Sequence, residues 1–363
     1  MPNHDPTLHL GVLYLGGTIG CAGAPLTPLP AHIFLPHFAE IFETAFTQKD
    51  DHAENTQREQ IHPNEWHYFS GNIKDSSALV PEDWGNILEL LLDPIHTHIK
   101  HWIILHGTDT LAFTAAFLSE ALRGTDLKIV VTGSQFPLLD PMQLTFAPHS
   151  DAFSNIKTAY SAFVDQKVTD KGWVRVAFNQ QHWTANGVQK THTQDIAAFT
   201  GDLFKQSQNQ NQKNLTVHIN TLISHPTRFK EALSRLNIQI YYASPLPLNI
   251  LIAQFEQVLL SGAEAVILLA YGLGNFPDDL RIHRALLAAE QRGVIVILST
   301  QVPFGGIESR YAAGNWLAAC GVLSGGALPL PAIFARLAWL QMTVKTYSER
   351  RQLWLEYIAT YTH

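Results

Sequence analysis

Three short apolar runs each stop at a glycine that is followed directly by a hydroxyl-bearing residue. His9 to Leu15 leads into Gly16, Gly17 and Thr18; Trp102 to Leu105 leads, through His106, into Gly107, Thr108 and Asp109; Lys128 to Thr132 leads into Gly133, Ser134 and Gln135. Runs this short and this apolar suit strands buried on both faces, as in a parallel sheet. Helical patterns lie between them. Trp84, Ile87, Leu88, Leu91, Leu92 and Ile95 share one face of a 3.6-residue period, with Pro81 and Glu82 suited to its first turn. Leu111, Ala115, Leu118 and Leu122 mark another helix, which Gly124 ends. Strand and helix alternating in this way predict an α/β fold with a mostly parallel sheet.

The stretch 205–214, KQSQNQNQKN, has no apolar residue and is read as a solvated linker. Beyond it the alternation resumes. Strands are predicted at Gln239–Tyr242, Ala265–Ala270 and Val294–Leu298, helices at Ile250–Leu260 and Asp278–Arg292, and the C-terminal stretch is read as helical. The expected architecture is two-domain α/β: a larger N-terminal parallel-sheet domain over 1–204, the linker, and a smaller C-terminal α/β domain over 215–363. A chain of 363 residues fits that division at about 150 residues per domain.

Composition removes several classes. The formal net charge of −7 argues against a nucleic-acid partner, which needs a basic face. Two cysteines, Cys21 and Cys320, make no disulfide framework and read as reduced thiols of a cytoplasmic protein. The N-terminal residues show no basic-then-apolar leader pattern. The longest apolar runs are far short of the roughly 20 residues of a membrane helix, so no membrane partner is expected. The 18 histidines include His96, His98 and His101, and His62 with His67, but none with HExxH or Cys/His zinc spacing. They are read as surface residues, with no metal and no cofactor. GGTIG is not GxGxxG, no GK[ST] follows it, and there is no GxSxG elbow.

In open parallel sheets ligands sit beyond the carboxyl ends of the strands, near a change of strand order. Glycine there lets backbone approach a ligand and leaves N–H groups free. Three hydroxyl-bearing tips at one sheet edge make a small polar pocket. Read one at a time, Thr108 or Asp109 also suits the N-cap of the following helix.

Taken together, YLGGTIG, the DSS and PEDW segments between Asp75 and Trp84, ILHGTDTLAFTA, VVTGSQFPL, FNQQHWTANGVQKTH (Phe178–His192) and YGLGN (Tyr271–Asn275) resemble the bacterial L-asparaginase family, nearest its cytoplasmic, type I branch. The resemblance implies hydrolysis of the side-chain amide of asparagine to aspartate and ammonia. It implies Thr18 as nucleophile and Thr108, Asp109 and Lys190 as a hydroxyl, carboxylate and amine constellation. Substrate contacts fall on Gly17, Asp75, Ser76, Ser77, Thr108, Asp109 and Ser134, with Asp109 against the substrate ammonium. It further implies a small amino-acid amide as the only partner besides the chain's own copies, in a homodimer or homotetramer. The residue types suit the chemistry. Covalent catalysis divides the barrier of a poor electrophile, and each oxyanion donor is worth about 3 kcal/mol.

The pattern is also broken. The family's tyrosine on a mobile loop after the GGT tip has no counterpart in Cys21–His32, where Leu26 or Thr27 stands nearest and Pro25, Pro28 and Pro30 stiffen the chain. Ala78, Gln189 and Leu269 replace polar or charged family residues. Two alternatives therefore stand beside asparaginase: a related, glutaminase-like amidohydrolase, and a catalytically weakened amino-acid-binding protein.

Overall fold

The computed structural model describes residues 9–47, 65–164, 171–203, 226–307 and 312–361. The expected linker 205–214 and His62 lie outside them. The chain divides into two compact units, Met1–Pro226 and Thr227–His363.

The first unit holds β1 (His9–Gly16), the short hairpin β2 (Cys21–Ala22) and β3 (Thr27–Pro28), α1 (Ala31–Thr47), β4 (Glu65–Lys74), α2 (Pro81–Leu91), β5 (His101–Leu105), α3 (Leu111–Ala121), β6 (Lys128–Thr132), α4 (Asp151–Val164), β7 (Trp173–Phe178), β8 (Gln181–Lys190) and β9 (Phe199–Leu203). Its seven-stranded sheet runs β4-β1-β5-β6-β7-β8-β9. The strands from β4 to β7 are parallel, and β8 and β9 continue antiparallel. The three runs singled out in the sequence are thus the three adjacent central strands β1, β5 and β6. From β1 the chain goes outward to β4, and from β5 it goes the other way to β6. The switch point of the sheet therefore falls between the tips of β1 and β5, where a ligand crevice is expected.

The core explains the apolar runs. Leu10, Val12 and Tyr14 of β1 pack with Ile103, Leu105 and Val130 against Phe34, Phe38 and Phe42 of α1 and Ile156 of α4. The alternate residues Leu13, Ile104 and Val131 are buried as well, as strands covered on both faces require. Helix α2 is shorter than its periodicity predicts. It ends at Leu91, and Ile95 sits in a separate 3-10 turn, 75% exposed. Pro94 is the cause, since it supplies no N–H and turns Asp93 away from helical dihedrals. Helix α3 ends as expected, with Gly124 just beyond it at φ 87°.

The second unit is α5 (Pro226–Ser234), β10 (Ile238–Tyr242), α6 (Leu248–Leu260), β11 (Ala265–Ala270), α7 (Leu280–Gln291), β12 (Ile295–Thr300), α8 (Ala312–Ala319), β13 (Leu323–Ser324), α9 (Leu330–Thr343) and α10 (Tyr347–Ala359). Its four strands are parallel and in sequential order. Val266 and Leu268 face Phe255, Ile282 and Leu286. Ala265 and Ile267 face Ile333, Leu337 and Trp354. A sheet between two helical layers results, and Leu269, a departure from the family pattern, is simply a buried residue of β11.

Candidate active site

The backbone puts the β1 and β5 tips in contact. Gly17 has φ 81°, and a Cβ there would lie 2.3 Å from the Cα of Gly107. Only glycine permits that approach at that dihedral. Thr18 follows at once, half-buried, at the head of a 3-10 turn. Cys21, whose thiol burial pushes up to about 11, donates to the Gly17 carbonyl at 3.3 Å and braces the bend.

The β4 end supplies the next wall. Lys74 Nζ lies 2.9 Å from the buried Asp83 carboxylate, which also accepts the Val80 N–H at the start of α2. Between these anchors sits the loop Asp75–Ser77. Asp75 Oδ1 accepts from the Ser77 N–H and hydroxyl at 2.9 and 2.7 Å. Those bonds, with the positive charge of Lys190, hold the Asp75 carboxyl below the usual carboxylate range against a smaller opposing effect of burial. Ser76 is almost fully buried. Its Oγ accepts the Asp109 N–H at 3.2 Å, and its carbonyl accepts the Thr110 hydroxyl at 2.8 Å. Ser76 thus joins two loops, while Asp75 and Ser77 face outward.

Helix α3 begins after Thr110, which stands at its N-cap, so neither Thr108 nor Asp109 caps it. Both are free to meet Lys190. The amine of Lys190 donates to Thr108 Oγ1 at 2.8 Å and to Asp109 Oδ1 at 2.7 Å. Lys190 comes from the far end of β8. That strand pairs with β7 only as far as Thr184, and its register with β9 shifts between Trp183 and Val188. Such an irregularity bends a strand, and the end of β8 comes to the β5 tip. Thr108 is buried, Lys190 half-buried and Asp109 exposed.

Several residues shape this site without a role that the sequence assigned them, and two of them, Asp151 and Asn155, lie outside every motif. His106 is fully buried, and burial holds its pKa down to about 4. Its Nδ1 lies 2.7 Å from the Gly107 carbonyl and its Nε2 2.9 Å from Thr114 Oγ1. A carbonyl only accepts, so Nδ1 carries the proton. Nε2 then accepts from Thr114, whose oxygen in turn accepts the Trp84 indole N–H at 3.0 Å. At the third tip, Asp151 accepts from the N–H groups of Gln135 and Phe136. Asn155 donates to the Gly133 carbonyl and accepts the Asn179 N–H at 2.8 Å. Ser134 is buried and donates its hydroxyl to the Phe136 carbonyl. The third tip is therefore tied inward, and its side chain is spent on backbone.

Among the described residues no hydrogen bond joins Thr18 to Thr108 or Lys190. Nor does a phenol bond to Thr18. Tyr14, which precedes it in β1, gives its hydroxyl to the carbonyls of Leu29 and Gly20, holding the β2–β3 hairpin.

A two-unit α/β chain with threonine tips and a lysine gathered at the switch point of its larger sheet defines the class, an amidohydrolase of asparaginase type. Residues 9–222 match the family described as asparaginase, N-terminal, and residues 247–353 the glutaminase/asparaginase C-terminal domain. The chain belongs to the asparaginase family. It is 28% identical over 279 residues to L-asparaginase 1 of Escherichia coli (strain K12), spanning 74% of this chain and 76% of that one. It is 26% identical over 295 residues to an L-asparaginase of Thermococcus kodakarensis, spanning 78% and 82%. Its fold matches the crystal structure of L-asparaginase I from Vibrio cholerae with a TM-score of 0.71 at 24% identity, over 95% of this chain and 96% of that one.

Proposed function

We propose that the protein hydrolyses L-asparagine to L-aspartate and ammonia through an acyl-enzyme on Thr18. One observation carries the reading: Lys190 reaches across 82 and 81 positions of sequence to bond Thr108 and Asp109 beside the Gly17–Thr18 bend. Thr108 accepts from Lys190, so its own O–H proton is free to be passed on. The Thr18 hydroxyl adds to the side-chain amide carbon. Its proton passes to Thr108 Oγ1 as Thr108, held by Lys190, gives its own O–H proton to the leaving nitrogen, which departs as ammonia. Water then adds to the ester, aspartate leaves, and the Thr18 hydroxyl is restored. The exposed carboxylates of Asp109 and Asp75 suit the substrate ammonium, and Ser77, which gives its N–H and hydroxyl to Asp75, holds that carboxylate in place. Ser76 and Ser134, tied up by backbone, act by fixing the loops. The N–H groups of Asp109, Gln135 and Phe136 are already spent, so the oxyanion would take its donors from other N–H groups of the glycine tips, those of Thr18 and Thr108 among them. The reading includes a cytoplasmic protein working as a dimer or tetramer.

The test is ammonia release by purified protein from millimolar asparagine and, separately, glutamine. Release from asparagine with the higher kcat/KM supports the reading, and preference for glutamine replaces it with the glutaminase-like one. A second reading draws on the Tyr14 phenol being committed to the hairpin: a weakened enzyme that binds amino acids. It predicts saturable calorimetric binding of asparagine or aspartate without ammonia release.

A further inference from the structure

At the opposite end of β1 from Thr18 lies a cluster that the sequence spacing hides. His9 opens β1, Glu65 and His67 open β4, and His98 stands in the turn before β5. One ring nitrogen from each histidine lies within 4.8 Å of the other two. His9 Nδ1 is 3.1 Å from His67 Nε2. Glu65 Oε2 is 3.2 Å from that same His9 nitrogen and 3.7 Å from that same His67 nitrogen.

We propose that His9, His67 and His98, with Glu65, bind a divalent transition metal of the zinc class. Four ligands at the usual zinc–nitrogen and zinc–oxygen bond lengths stand about 3.3–3.5 Å from one another around a tetrahedral ion. The three measured separations among His9, His67 and Glu65 bracket that value without any rearrangement. A proton satisfies only one such pair at a time, whereas one cation in the middle satisfies all the lone pairs together. His98, the exposed member, completes the set by a side-chain rotation of the kind surface residues make freely. Three imidazoles beside a single carboxylate favour zinc, cobalt or nickel over calcium or magnesium, which take oxygen ligands throughout. The ion would join β4 to β1 at the ends remote from the proposed chemistry. It is a structural staple across the pair of strands whose far ends carry Thr18 and Asp75.

The test uses untagged full-length protein stripped with chelator. Zn²⁺ is titrated by calorimetry, and Co²⁺ by its visible d–d bands. One equivalent is expected, with the band intensity of tetrahedral cobalt and a melting temperature that rises until one equivalent is bound. His67→Ala and His98→Ala should each weaken binding at least about tenfold. Glu65→Gln should weaken it and alter the cobalt spectrum. His98 is exposed, so His98→Ala keeps the fold even if His67→Ala does not. Absence of a stoichiometric site, or affinity unchanged in His98→Ala and Glu65→Gln, overturns the proposal. Because the cluster lies away from Thr18, the outcome is separate from that of the asparaginase reading.

Discussion

Lys190 decides more of the account than any other side chain. Replacing it with methionine removes both bonds at the β5 tip, and the predicted loss of kcat for ammonia release is about 10²- to 10⁴-fold. Stability should change by no more than about 1 kcal/mol, because Asp109, its ionic partner, is 58% exposed and solvent weakens the pair. An unchanged kcat, read alongside an unchanged melting curve, would remove Lys190 from the mechanism. His106 makes a different prediction. Burial holds its pKa at about 4 in the folded protein, against an ordinary value of 6.5. The unfolded chain therefore takes up the proton first. The stability this histidine carries is full above pH 6.5 and is lost as the pH falls toward 4. Urea unfolding at pH 7 and pH 5 should show the wild type losing about 2 kcal/mol more than His106→Gln. Parallel losses would mean that His106 is not held neutral. Neither His106 nor Ser76 could be weighted from sequence, because each works through backbone partners that only the closed loops bring near.

Among the elements, the legible ones were those whose pattern is local. β1, β5 and β6 show themselves as apolar runs ending in glycine, and α3 shows both its face and its stop. β4 was not foreseen. It reads EWHYFSGNIK and lies at the sheet edge largely half-buried, so it carries no unbroken apolar run. The β7–β8 turn was missed too, since Asn179 and Gln180 adopt φ of 45° and 60° without the glycine that usually marks such a turn. Helix α4 matters more for the site than its sequence suggests, because Asp151 and Asn155 on its first turns hold the β6 tip. Asn155→Ala takes the Asn155 partner from the buried Gly133 carbonyl and from the half-buried Asn179 N–H. A loss of about 2–4 kcal/mol is expected, read as a lower urea midpoint. A midpoint within error of wild type would show that the tip does not depend on that bracket.

At the scale of the whole molecule, the resemblance read from motifs agrees with the family match across both units. What sequence could not show is how much of each motif is structural. Ser76 and Ser134 sit within family motifs, yet their hydroxyls are engaged by other parts of the fold, and the histidine cluster joins positions 9, 67 and 98 that share no spacing rule. The second unit leaves Ile240, Tyr242, Leu246, Leu248 and Ile250 exposed along β10 and the start of α6. Apolar surface of that extent suits an interface. Sedimentation velocity should therefore find a dimer or tetramer, and Tyr242→Lys combined with Ile250→Lys should shift it toward monomer. A wild type that sediments as a monomer would contradict this. The most direct measurement is ammonia release from asparagine by the wild type and by Thr18→Ala, each shown to be folded. The account predicts steady turnover in the first and none above background in the second. Equal turnover in both would contradict it.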